Sequence, residues 1–275
     1  MRSGRPARAG RRHRGGEAGT AQTAGGRAGE ELDQELGRHA RVRAATTGEI
    51  KETARRILVA EGPDAVSLRA IAREMGMTAP ALYRYFSSHQ DLIRHVAADI
   101  FTEVAADIHA AVHRAGEASG GDMTEKLVAA CREFRRWSLA NREKFGLLFG
   151  TPVPGLTALH QPDDVLDHCA ARFSGTFFAL FLELWGKHPF PIPADSQLDP
   201  GLREQLARYR DGLGAGIPLG AGLVFLRCWV RLYGMVSLEV FGHLGFALED
   251  ASAMFELTLS ELAGLIGLEY PPATG

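Results

Sequence analysis

Tyr83 and Arg84, with the small residues Ala79 and Pro80 about one turn before them, are the side chains best suited to meet a polyanion. A phenol can donate to a phosphate oxygen, a guanidinium can reach a phosphate or a guanine edge, and small residues let a backbone approach closely. Such chemistry needs an element that holds these groups on one exposed face. Thr78 can cap a helix, Pro80 fits a first turn where no backbone donor is needed, and Leu82 and Phe86 fall four apart on the opposite, buried side. The spacing predicts a helix from Thr78 to Phe86.

What comes before that helix fixes how it is presented. Ser67 precedes an apolar series at Leu68, Ile71, Ala72 and Met75, one face of a second helix with Ser67 as its N-cap. Gly76 then permits the left-handed conformation that closes a helix, so the chain turns sharply at Gly76 and Met77. Two short helices joined by a tight turn form a helix-turn-helix. Upstream, Ile50, Ala54, Ile57 and Leu58 form a third apolar stripe, broken by Gly62 and Pro63. A three-helix bundle follows.

The run S-L-R-x-I-A-x-x-M-G-M, then T-A-P-A-L-Y-R-Y-F and a following D-L-I, resembles the DNA-binding domain of the TetR family of bacterial transcription regulators, over about Thr46 to Val96. The resemblance implies a DNA-contacting set of Thr47, Ser67, Arg69, Thr78, Ala79, Pro80, Tyr83, Arg84, Tyr85 and His89. His89 departs from the pattern, since the family usually has lysine there, and a phosphate contact from it would be weaker or pH-dependent.

The net charge of −2 hides an asymmetry. Residues 1–45 carry 10 Arg against 5 acids, residues 46–95 carry 7 basic against 6 acidic residues, and residues 96–275 carry 14 against 22. A DNA-facing N-terminal part and an acidic remainder turned away from phosphates would give this distribution. Residues 1–45, rich in Gly, Ala and Arg, are expected to be mostly disordered, either a basic arm on DNA or a flexible leader. No apolar run reaches the ~18 residues of a membrane span, and the arginine-rich start lacks the apolar segment of a secretion signal. A cytoplasmic bacterial protein without membrane contact is expected. Cys131, Cys169 and Cys228 are odd in number and set in apolar helical patterns, which suits buried thiols in a reducing compartment.

Other chemistries have less behind them. His109 and His113 are four apart, as zinc ligands on a helix would be, but have no third ligand in sequence; Asp164 and His168, also four apart and next to Cys169, could likewise start a metal site, with no more behind it. The glycines from Gly212 to Gly222 follow no strand and lack a P-loop lysine, so they read as a flexible connection. No nucleophile elbow, H-E-x-x-H pair or paired-carboxylate motif is present, and no enzyme, metal or cofactor is expected.

From Gln90 an apolar pattern runs to about His113, long enough to connect two domains across residues 96–122. Further helices are predicted over about Thr124–Phe149, Asp163–Trp185, Gly201–Tyr209, Pro218–His243 and Asp250–Ile266. The last two are apolar on more than one side, which suggests contact with a second subunit as well as the core. The fold class is all-α: a three-helix helix-turn-helix domain, residues 46–95, followed by a larger helical-bundle regulatory domain, residues 123–270.

Within that domain W-V-R-L-Y-G-M-V-S-L-E-V-F-G-H-L, from Trp229, and F-G-L-L-F-G-T-P-V-P-G, from Phe145, resemble the WHG-type C-terminal domain of TetR regulators, with Tyr233 where the naming histidine stands. The resemblance implies a ligand pocket, for which Phe134, Trp137, Phe145, Phe173, Phe177, Trp229 and Tyr233 are candidates; each also sits at a spacing that an ordinary core would use. The expected function is a homodimeric, ligand-responsive regulator, a repressor released from a palindromic double-stranded DNA operator by a small-molecule effector. The alternatives are an activator of the same fold, and a helical small-molecule-binding protein or enzyme whose N-terminal bundle only docks.

Overall fold

Ten α-helices and no strand make up the described residues of the computed structural model, which cover 21–150, 165–212 and 216–270, with side chains from residue 37 onward. In chain order they are α1 (Ala21–Glu61), α2 (Leu68–Glu74), α3 (Ala79–Leu82), α4 (His89–Ala118), α5 (Met123–Ala140), α6 (Arg142–Phe145), α7 (Val165–Lys187), α8 (Pro200–Gly212), α9 (Leu219–Val240) and α10 (Ser252–Leu265). A π-helical turn, Gly146–Gly150, continues α6.

The chain divides into two units at Ile50. In the first, the Thr46 and Thr47 hydroxyls return to the carbonyls of Val42 and Arg43 at 3.0 and 2.8 Å, as exposed or half-buried helix residues do. Helix α1 begins at Ala21, within the residues 1–45 for which disorder is expected from composition. Ala, Glu, Gln, Leu and Arg are good helix formers, and their summed propensity outweighs the glycines among them. Residues 1–20 lie outside the described residues.

In the second unit, Ala54, Leu58, Ile71, Leu82, Phe86 and Leu92 are fully or almost fully buried and form the small apolar interior of the N-terminal domain. Arg56 clamps α1 to α2 through Glu74, with bonds of 3.0 and 2.7 Å to one carboxylate oxygen. Ser88 caps α4, accepting from the Asp91 backbone N–H at 3.0 Å, while Asp91 in turn accepts from the Ser87 N–H at 2.7 Å. From there α4 runs unbroken for 30 residues, across the expected domain boundary at residue 95. It buries Leu92 and Val96 near its start and Phe101, Val104 and Ile108 further on, and it packs along α5 and α7.

Arginines on α5 anchor the C-terminal helices. Arg132 makes two bonds to Glu256 of α10, at 3.0 and 2.6 Å, and Arg135 grips Glu239 of α9 with two more, at 2.7 and 2.5 Å. Helices α7 and α9 are long and apolar enough, by length and composition, to cross a membrane. Neither is an unbroken apolar run, since Arg172 and Glu183 interrupt α7 and Arg227 and Arg231 interrupt α9, and their apolar residues are used in packing: Phe173, Phe177 and Leu184 of α7 and Leu219, Val224, Phe225 and Val236 of α9 are buried in the bundle. A helix buried on several sides carries few polar positions.

Candidate DNA-binding surface and effector cavity

The turn between α2 and α3 is built as its residues require. Ser67 caps α2, its Oγ accepting from the Ala70 N–H at 3.1 Å. Gly76 closes the helix at φ 65°, and Met77 N–H reaches back to the Ala72 carbonyl at 2.9 Å. These are the bonds of a glycine-closed helix end, and a β-carbon at Gly76 would be strained. Thr78 occupies the N-cap of α3, but its side chain makes no capping bond. The helix is also shorter than the spacing predicts: it ends at Leu82, and Tyr83 to Tyr85 continue as turns. Pro80 supplies no N–H and Phe86 is already drawn into the core at 1% exposure, so only one regular turn is left to form.

Thr78, Pro80, Tyr83 and Arg84 are exposed on or beside α3, Tyr83 by 56%. Ala79 and Tyr85 are half-buried, and Arg69 is exposed on α2. One exposed turn thus presents a phenol, a guanidinium and two small residues. His89 is placed differently from the other candidates: its Nε2 donates to the Val66 carbonyl at 2.6 Å, tying the start of α4 to the residue just before the α2 cap. Thr47 belongs to the first unit, on α1.

The ligand candidates separate into two groups. Phe134, Phe145, Phe173 and Tyr233 pack ring against ring with one another or through Phe149, at centroid distances from 4.8 to 6.3 Å, and form solid core. Trp137 is 1% exposed, and its Nε1 has no hydrogen-bond partner among the described residues. Phe177 and Trp229 alone of the seven line a cavity of about 80 Å³. Its other walls are not indicated by aromatic spacing: Thr124, Leu127, Val128 and Cys131 of α5, Phe181 of α7, Phe225, Cys228 and Leu232 of α9, and Leu259, Leu262 and Ala263 of α10, with Ile266 and Leu268.

The two thiols on the wall are held neutral. Burial pushes Cys131 up to about 12, with Cys228 adding to the rise, and burial pushes Cys228 up to about 11 against the opposing charges of Arg231 and Arg227. No charged side chain lines the cavity.

The histidine pairs are engaged elsewhere. His109 Nε2 lies 3.0 Å from the Thr176 hydroxyl, and His113 Nδ1 lies 3.2 Å from Glu117. Cys169 accepts from Thr102 Oγ1 at 3.5 Å. Among the described residues, no three His, Cys, Asp or Glu side chains gather as a metal site, and Asp164 lies outside those residues.

Comparison with known proteins agrees with this architecture. Residues 50–96 match the profile of the bacterial regulatory proteins of the tetR family, and residues 127–262 match that of the tetracyclin repressor-like C-terminal domain. The chain is 31% identical over 226 residues to the HTH-type transcriptional regulator Rv1816 of Mycobacterium tuberculosis and equally to Mb1846 of Mycobacterium bovis, covering 80% of this chain and 92% of each relative. Among solved structures, SCO4313 superposes with a TM-score of 0.59 at 31% identity, over 82% of this chain and 98% of that one. RolR, crystallised with resorcinol, shares the fold at a TM-score of 0.53 and 15% identity, over 84% of this chain and 92% of that one. The chain belongs to the TetR family of bacterial regulators and is a DNA-binding transcriptional regulator.

Proposed function

We propose that the protein is a homodimeric repressor that leaves a palindromic operator when a small molecule occupies its C-terminal domain. The observation that carries the DNA half is the exposed turn at Thr78–Arg84, a phenol and a guanidinium offered next to small residues on the second helix of a helix-turn-helix. Each subunit would place this turn in the major groove, with half-sites about 34 to 36 Å apart.

The dimer half rests on exposed apolar surface. Val230, Leu238 and Phe241 on or just after α9, Phe246 in the following segment, and Met254 and Leu257 on α10 are all exposed, Phe246 by 90%. Scattered exposed apolar residues are ordinary, whereas six on two neighbouring helices and the segment between them form a patch suited to a second copy. RolR was crystallised with an aromatic diol, and regulators of this family bind operators and small molecules as dimers. An effector would act through α4, which runs unbroken from the helix-turn-helix into the bundle. A coupling of about 1–3 kcal/mol changes operator affinity roughly 5- to 150-fold.

Selection of bound duplexes from a random pool, followed by gel shift, tests the proposal. A palindrome is expected, with Tyr83→Phe and Arg84→Ala weakening its binding. Wild-type protein that binds no duplex tighter than random DNA overturns it.

A further inference from the structure

We infer that the cavity walled by α5, α7, α9 and α10 takes a small uncharged apolar molecule, about the size of a single ring, and that it rejects ionised ligands. The inference rests on the reading of the C-terminal domain as an effector domain and gives that effector a chemical class.

The wall chemistry leaves little choice. The cavity measures about 80 Å³, and Thr124 is the one hydroxyl-bearing residue among aliphatic, aromatic and thiol groups. A buried water needs two to four polar partners, so a cavity lined in this way stays dry and favours an apolar occupant. A carboxylate or ammonium entering it would lose its hydration and find no counter-charge on the wall. Cys131 and Cys228 supply no compensating anion, because burial keeps both thiols protonated, at about 12 and about 11. As thiols they are polarisable apolar surface, and together with Phe177, Phe181, Phe225 and Trp229 they offer dispersion contacts and ring edges. Volume points the same way, for a space of about 80 Å³ favours a small guest.

The test uses the full-length protein with benzene and with sodium benzoate, matched in ring and differing in charge. Benzene at about ten times its Kd is expected to raise Tm by about 3–6 °C. It is also expected to slow N-ethylmaleimide labelling of Cys131 and Cys228 about tenfold, with Cys169, which is off the cavity wall, as internal reference. Benzoate is expected to do neither. Cys228→Leu, which adds bulk to the wall, should abolish the benzene response; the labelling experiment needs no variant and decides the matter if that one fails to fold. Equal effects of benzoate and benzene overturn the inference, as does unchanged labelling of both cysteines at saturating benzene. Gel shift with ligand-free protein tests operator binding independently of this cavity, so failure of either reading is seen separately.

Discussion

Lys144 Nζ stands 2.6 Å from one carboxylate oxygen of Glu103, and the other oxygen of that carboxylate takes the Arg55 guanidinium. Glu103 on α4 therefore joins α1 of the DNA-binding domain to α6, next to the aromatic core at Phe145. One turn earlier, Lys51 pairs with Asp99 at 2.7 Å. All three members of the Glu103 triad are less than one third exposed, so the removal of one leaves the others poorly solvated.

Glu103→Gln is accordingly expected to destabilise the protein at pH 7 by about 1–3 kcal/mol, between the values typical of exposed and buried pairs. Burial alone would raise the Glu103 carboxyl, but the Lys144 hydrogen bond and the Arg55 charge outweigh it and hold the group below its ordinary 4.5. A depressed carboxyl contributes its full stabilisation above the ordinary value and loses it as pH falls through the folded-state value. Urea unfolding at pH 7 and again below pH 4 should show the gap between wild type and variant closing in acid. A gap that stays constant would mean that the Glu103 charge is not what is removed.

The N-terminal α2–α3 unit is legible in the sequence because its determinants are local. Ser67, Gly76 and the apolar residues from Leu68 to Phe86 each act within a few positions of themselves, and the structure uses them as the pattern suggests. The Thr78 cap and the length of α3 are not legible, since the tertiary pull on Phe86 decides where the turn ends. The cavity is hidden for a different reason. Helices α7 and α9 are apolar on several sides, so periodicity cannot say which side faces a void, and its wall takes a few residues from each of four helices distant in sequence. Phe134 and Phe173 resemble pocket residues by type, yet they pack against each other at 5.5 Å.

Gly220, near the start of α9, is set by close approach and not by conformation. A β-carbon there would lie 2.2 Å from the Pro193 carbonyl oxygen, a backbone atom that cannot swing aside. Gly220→Ala should lower Tm by several degrees, since overpacking of this kind costs about 1–3 kcal/mol. Gly175 on α7 has open space at the same position, and Gly175→Ala should be neutral or stabilising by up to about 1 kcal/mol through helix propensity. Thermal melts of the two variants side by side separate the steric effect from the propensity effect. A Gly220→Ala protein as stable as wild type would show that the Pro193 segment yields.

Leu257, 54% exposed on α10, belongs to the surface proposed to meet a second copy. Leu257→Asp should leave the far-ultraviolet circular dichroism unchanged, because the side chain packs little within its own subunit. In sedimentation velocity the same variant should shift from dimer towards monomer. Its affinity for a two-half-site duplex should fall well over tenfold, since one subunit reads only half the site. A variant that remains dimeric would place the subunit interface elsewhere.

The salt dependence of operator binding separates residues that touch phosphate from residues that only hold the motif together. Removing a cation that neutralises one phosphate lowers the slope of log K against log salt by about 0.9. Arg84→Ala, which deletes an exposed guanidinium from the α3 turn, should show that decrement. The His89 ring donates through Nε2 to the Val66 carbonyl, so its role in this chain is to fix α4 against the residue before α2. His89→Ala should therefore lower Tm, consistent with the loss of a hydrogen bond worth about 1 kcal/mol, and weaken binding with an unchanged slope. His89→Lys restores the residue usual in the family; it too forgoes the Val66 bond but adds a cation, so its slope should steepen by about 0.9, the increment of one neutralised phosphate. A slope that falls in His89→Ala as it does in Arg84→Ala would place the imidazole on a phosphate, with the Val66 bond broken when DNA binds.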